Sequence, residues 1–196
     1  MSEHTAIDVL PLTPARFADL PALFEEGGDP RSCWCTHFRS RGRDWSNSTA
    51  AGNRAELKAL ARRDLAPGLV AYRDDRAVGW VSLAPREGYE RLATSKILAP
   101  LDDVPVWSIV CFVVSRRSRR QGVAATLLDA AIEYARSHGA TTLEAYPVEV
   151  PKGERIPAAN AYHGTLTMFE RAGFTVVERR QWNATTPVRP IVRRAL

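Results

Sequence analysis

The sequence predicts an α/β fold built on a single mixed central sheet with flanking helices. Three observations predict it. Residues 68–85, GLVAYRDDRAVGWVSLAP, read as two apolar strands that reverse at Asp74-Asp75. Residues 104–114, VPVWSIVCFVV, are apolar almost throughout, as a central strand covered on both faces must be. From there to the last residue, helical and strand patterns alternate around what reads as one sheet.

Taken in order, AIDVLPLT (6–13) is a short opening strand, and Thr13-Pro14 has the form of a helix N-cap with proline in the first turn. The first helix is expected from about Pro14 to Glu26, stopping at Gly27-Gly28. Residues 29–48, DPRSCWCTHFRSRGRDWSNS, follow neither period, yet carry two tryptophans, a phenylalanine and two cysteines. A loop with side chains that large is expected to pack over something. A second helix covers residues 51–64, with Leu57, Leu60 and Ala61 on one face. After the hairpin and the central strand, a helix from about Gln121 to His138 places Val123, Leu127, Ala131 and Tyr134 on one stripe and stops at Gly139. TTLEAYPV (141–148) is a strand cut short by Pro147. Residues 158–173 read as one helix and residues 174–182 as a strand. PVRPIVRRAL (187–196) reads as an edge strand, because its prolines exclude it from a central position. The order is strand, two helices, three strands, helix, strand, helix, two strands. Length and continuity give a single domain over 1–196.

The 196 residues are 45% hydrophobic and 25% charged, the balance of a globular protein with a core of ordinary size. No apolar run approaches the roughly 20 residues that span a bilayer, and MSEHTAIDVLPL does not read as a secretory signal, so no membrane is expected and the cytoplasm is the expected default compartment. Cys33, Cys35 and Cys111 are too few for a disulfide framework. A net charge of +5 favours anionic partners without separating nucleic acid from a phosphorylated small molecule.

That choice rests on Ser115–Leu128, SRRSRRQGVAATLL, which sets four arginines within five positions and then turns small and apolar. A strand running into Arg119-Arg120-Gln121-Gly122-Val123-Ala124, with a helix opening inside that segment, offers unpaired backbone N–H groups and a positive helix end to a pyrophosphate. Small residues at 122 and 124 leave the backbone open to the phosphate oxygens. Basic arms for nucleic acid carry interleaved aromatics for stacking; SRRSRR has none, so no nucleic acid is expected.

FVVSRRSRRQGVAATLLDAA resembles the acetyl-CoA signature of the GCN5-related N-acetyltransferases (GNAT), with Arg119, Gly122 and Ala124 at its fixed positions. MFERAGF, Met168 to Phe174, resembles the family's second landmark, a helix ending in an aromatic residue followed by Gly-Phe at the next strand. The resemblance implies acetyl-CoA as cosubstrate, held by Arg119, Arg120, Gln121, Gly122, Val123 and Ala124. It also implies a β-bulge in the strand ending Cys111–Val114, with main-chain contacts from Phe112 and Val114 to the pantetheine arm. The segment 27–53 becomes the acceptor-side loop, with Trp34 and Phe38, and also Trp45, as an apolar or cation-binding wall.

Where the family often has a catalytic tyrosine, this chain has Phe169, which donates no proton. Tyr162, seven residues earlier and on the same face of the expected helix, is the candidate general acid, and Glu144 the candidate base acting through water. Cys33, Cys35 and His37 offer soft ligands, but the other histidines are distant in sequence and no metal site is assigned. The function implied is transfer of acetyl to a primary amine, foremost of a small molecule. A protein N-terminus or lysine as acceptor, and a non-catalytic acyl-CoA-binding module, stay open, as does a homodimer.

Overall fold

The computed structural model describes residues 6–26, 30–150 and 161–196. The strands are β1 (Asp8–Pro11), β2 (Gly68–Arg73), β3 (Arg76–Pro85), β4 (Trp107–Val114), β5 (Thr142–Ala145), β6 (Thr175–Arg180) and β7 (Arg189–Ala195). The helices are α1 (Leu20–Glu25), α2 (Pro30–Cys33), α3 (Gly42–Trp45), α4 (Ala50–Leu60), α5 (Glu90–Thr94), α6 (Val123–Ser137) and α7 (Leu166–Arg171). Among the described residues the seven strands form one sheet in the order β1-β2-β3-β4-β5-β7-β6, antiparallel except for the β4–β5 pair. One mixed sheet with flanking helices is the expected fold class. No described helix is long and apolar enough to cross a membrane.

The hairpin forms as its sequence dictates. Asp74 and Asp75 both take positive φ (49° and 59°), the backbone of a two-residue type I′ turn, which short polar side chains tolerate. β4 is the centre of the molecule, buried at every position but its last. One core lies on the face under α1 and the 30–45 segment, around Phe24, Trp34 and Trp80; the other lies under α6 and α7, around Leu127, Leu143 and Phe169. Gly79 on β3 lets α6 seat close, since a Cβ there would stand 2.6 Å from Val123 Cγ1. That seating fixes where the N-terminus of α6 points.

Four expectations need correction. The helix over 14–26 is a 3-10 turn at Arg16–Asp19 followed by α1, because Pro21 cannot donate the backbone bond that would continue an α-helix through it. Its expected stop, Gly27-Gly28, lies outside the described residues. The helix over 158–173 is a 3-10 turn at Ala161–His163, a break at Gly164 (φ 76°) and then α7; residues 158–160 lie outside the described ones. The central helix begins at Val123 rather than Gln121. Finally, β7 is not an edge strand: it lies between β5 and β6. β5 pairs only with residues 192–195, so Pro190 has a strand on one side alone, where a missing N–H is tolerated.

Candidate active site

The site begins with a strand that loses its neighbour. β4 pairs with β5 only at Trp107–Leu143, Ser108–Glu144 and Ile109–Ala145. Its remaining residues, Val110 to Val114, run on with β3 as their one partner strand. The β3–β4 register also slips: Ser82 faces Cys111 and Leu83 faces Ile109, leaving Val110 unmatched as a β-bulge. Val110 and Cys111 consequently both join the core beneath the N-terminal helices. A cavity of about 790 Å³ opens along the free edge, with Cys111, Phe112, Val113 and Val114 in its wall.

At one end the cavity meets the N-terminus of α6. Gly122 caps that helix with φ 83°, a left-handed conformation open to glycine at little cost, and a Cβ added there would meet nothing within 4 Å. Thr126 donates the first helical backbone bond, to the Gly122 carbonyl at 3.0 Å, so the amides of Val123, Ala124 and Ala125 have no partner inside the helix. All three residues line the cavity, as do Arg116, Arg119 and Arg120. Three unpaired amides and three arginines at a positive helix end suit a pyrophosphate. Gln121 is absent from the lining: its side chain accepts from Arg73 and donates to the Arg117 carbonyl at 2.7 Å, tying the loop to the hairpin.

Sequence reasoning missed Glu26. It is the one carboxylate among the described lining residues, and it accepts from Ser115 Oγ (3.1 Å) and from the Arg116 amide (2.9 Å). It therefore anchors α1 to the loop after β4. A glutamate at the end of a helix carries no signal of such a long-range contact, which spans about ninety residues.

Another part of the cavity wall is aromatic. Phe38, His37, Trp45 and Tyr162 line it, the His37 ring edge-on to Phe38 and Trp45 at 5.1 and 4.8 Å. Trp34 does not. Successive positive φ values at Trp34 and Cys35 (47° and 53°) turn the indole inward, where it packs on Phe17 and Phe24 beneath the Arg54 guanidinium. It is a core residue, while Phe38 keeps its place in the wall. The described part of the 27–53 loop is ordered into α2 and α3, and α4 already starts at Ala50, capped by the Thr49 hydroxyl, which accepts from the Gly52 amide at 3.1 Å.

The two catalytic candidates part company. Tyr162 lies in the cavity wall, on the turn before Gly164, and both Arg91 and Arg189 interact with it electrostatically, two cations placed to favour negative charge on its oxygen. Tyr162 does not sit two helical turns from Phe169, because Gly164 breaks the helix; tertiary packing brings it to the cavity instead. Glu144 does not reach the cavity. It is fully buried and accepts from Arg86, from the Tyr146 hydroxyl (2.7 Å) and from Arg193 Nε (2.8 Å). With Asp102 completing the Arg193 fork at 2.6 and 3.0 Å, this is an ion-pair network that clamps β5 and β7 to the segment after β3. Phe169 is buried against Phe112 and Phe174. His163, beside Tyr162, is buried with its Nδ1 unpartnered, and burial holds its pKa well below the usual imidazole range, so the ring is neutral. Among the described residues no group of three or more His, Cys, Asp or Glu is placed to hold a metal.

Comparison with known proteins agrees with this architecture. The model of the Acetyltransferase (GNAT) family matches residues 31–164. No curated protein matches the chain. An acetyltransferase of the GNAT family from Streptococcus pneumoniae superimposes with a TM-score of 0.55 at 16% identity, covering 97% of this chain and 99% of that one. The histone acetyltransferase HPA2 and related acetyltransferase from Corynebacterium glutamicum gives 0.56 at 20%, covering 96% and 95%. The NatC complex bound to Gag peptide and CoA gives 0.55 at 14%, covering 97% and 98%. Those likenesses are of fold; the family match runs through the parted strands, the bulge and the amide-lined helix end, and the chain belongs to the GNAT acetyltransferase family.

Proposed function

We propose that the protein is an acetyl-CoA-dependent N-acetyltransferase acting on a primary amine of a small molecule. The observation that carries this reading is that the strand edge left free where β4 parts from β5 and the Gly122-capped end of α6 line one cavity. The first-turn amides of α6 with Arg119 and Arg120 would hold the pyrophosphate. The free backbone groups of β4 around Phe112 and Val114 would pair with the pantetheine arm. When bound, acetyl-CoA supplies a thioester as acyl donor.

The chain's own residues then have three tasks. The aromatic wall of Phe38, Trp45 and Tyr162 holds an amine whose body is apolar and limits water at the reacting end. Tyr162 gives its phenol proton to the departing thiolate, with Arg91 and Arg189 stabilising the resulting charge. Glu26 is already committed to Ser115 and Arg116, so the amine enters as its neutral form and loses its proton to solvent. A second reading, coenzyme binding without turnover, is favoured by Phe169 standing where a tyrosine would act.

Calorimetric titration with acetyl-CoA, followed by a panel of amines scored for thiol release, separates the two. Micromolar binding with turnover supports the enzyme, and binding without turnover on any amine supports the second reading. Gly122→Asp, which sets a carboxylate in the cradle, should abolish binding in a folded protein; retained affinity overturns the cradle assignment.

A further inference from the structure

The cavity wall holds a feature that acetyl transfer does not use. All three cysteines line it: Cys33, half-buried, and Cys35 and Cys111, which are buried behind the surface of the wall. Cys35 and Cys111 come from elements 76 residues apart, yet their sulfurs stand 3.2 Å from one another. The left-handed backbone of Cys35 turns its thiol toward β4, and the bulge at Val110 turns Cys111 onto the same face. Two independent irregularities of the chain thus meet at one sulfur pair. Cys33 lies within hydrogen-bond reach of Cys35, on the same wall.

We propose that Cys35 and Cys111 are a redox-active dithiol, oxidised to a disulfide by coenzyme A disulfide admitted through the acyl-donor cavity. The choice of oxidant rests on the reading of that cavity as a coenzyme A site, because the cradle that holds the pyrophosphate lays a pantetheine sulfur along β4, where Cys111 sits. In the first exchange the Cys111 sulfur, as thiolate, attacks one sulfur of coenzyme A disulfide. An S–S bond breaks, a Cys111–coenzyme A disulfide forms, and one coenzyme A leaves with the proton that Cys111 gave up. In the second, the Cys35 sulfur attacks Cys111, the mixed disulfide breaks, and the second coenzyme A leaves with the Cys35 proton. Two protein thiols are oxidised and one small disulfide is reduced to two thiols. A disulfide needs its sulfurs about 2.05 Å apart, a closure of about 1 Å from the present separation. Cys111 lies on β4, the strand the pantetheine arm would follow, and is the first to react; Cys35, with its sulfur 3.2 Å away, is the resolving thiol. The bond pins the turn that carries Cys35, at the head of the acceptor loop, to the strand that borders the donor.

The experiment treats the folded protein with coenzyme A disulfide or glutathione disulfide, titrates accessible thiols after denaturation, and maps linked peptides by mass spectrometry; calorimetry with coenzyme A is run alongside. The expected result is a fall from three thiols to one, with Cys35 joined to Cys111 and Cys33 still a thiol. Reaction with coenzyme A disulfide should run at least about tenfold faster than with glutathione disulfide, because the cavity holds the reacting sulfur in place. Cys35→Ser should trap one coenzyme A on Cys111, and Cys33→Ser should still form the Cys35–Cys111 bridge, its count falling from two thiols to none. If coenzyme A binds but the native protein keeps three thiols, or the bridge forms through Cys33, the inference is overturned and the cavity reading stands. If coenzyme A does not bind and glutathione disulfide closes the pair as fast, the cavity reading fails, and with it the choice of oxidant.

Discussion

Replacing Glu144 by glutamine keeps its shape and removes its charge. The carboxylate is fully buried and accepts from Arg86, Tyr146 and Arg193. A glutamine amide turns one acceptor oxygen into a donor facing donors. It also leaves the nearly buried Arg86 guanidinium, whose side chain is 11% exposed, in hydrogen-bond contact with neutral acceptors alone, the Leu98 carbonyl and the Tyr146 hydroxyl. Breaking a buried pair costs about 3–5 kcal/mol. Arg193 keeps Asp102, which puts the expected loss near the lower end, about 3 kcal/mol. At about 2–4 °C per kcal/mol for a chain of this size, Tm should fall by roughly 6–12 °C. Urea and thermal unfolding followed by circular dichroism give both figures, and acetyl-CoA titration of the same samples should show unchanged affinity, since Glu144 does not line the cavity. A loss under about 0.5 kcal/mol, the range of ordinary surface substitutions, would refute the network as a clamp. Intact stability with collapsed turnover would return Glu144 to the chemistry.

Other residues give separate tests. Tyr162→Phe should lower turnover by about 10²-fold or more while the acetyl-CoA Kd holds, and an unchanged pH–rate profile would remove Tyr162 as the proton donor. Trp34→Ala should cost about 3–5 kcal/mol in urea unfolding, as loss of a buried indole does, with coenzyme affinity retained in the folded fraction. His163 is held neutral by burial, so below its ordinary pKa near 6.5 the unfolded chain takes up a proton that the folded one refuses. Stability should therefore fall as pH drops through that value, and His163→Gln should flatten that limb of the Tm–pH curve; an equal slope in both proteins would show that His163 does not set it. If the amine reacts as its neutral form, kcat/KM should rise with pH toward the pKa of the amine, and a pH-independent kcat/KM would point to a base within the cavity.

Much of the α6 side of the cavity was legible in the sequence, because it depends on local rules. An apolar strand, a basic turn, Gly122 and an amphipathic helix are contiguous, and the helix N-terminus follows from them whatever packs around it. The hairpin at Asp74-Asp75 was legible for the same reason, since a two-residue turn is its own instruction. The aromatic side was not. Trp34 and Phe38 are similar residues four apart in one aperiodic loop, and only two positive φ values decide that the first enters the core while the second faces the cavity. Glu144 reads as an acid on a strand until Arg86 and Arg193 arrive from elsewhere in the chain, and Glu26 carries no local mark of its bond to Arg116. The prolines near the end of the chain point to an edge strand, but β7 lies between β5 and β6, and Pro190 is accommodated because β5 reaches only residues 192–195. The sequence by itself determined the sheet class and the glycine-capped helix end, which short-range backbone geometry specifies. Tertiary structure alone decided which side chains share the cavity and which thiols touch, because those pairings are set by chain segments that meet only when the sheet is assembled.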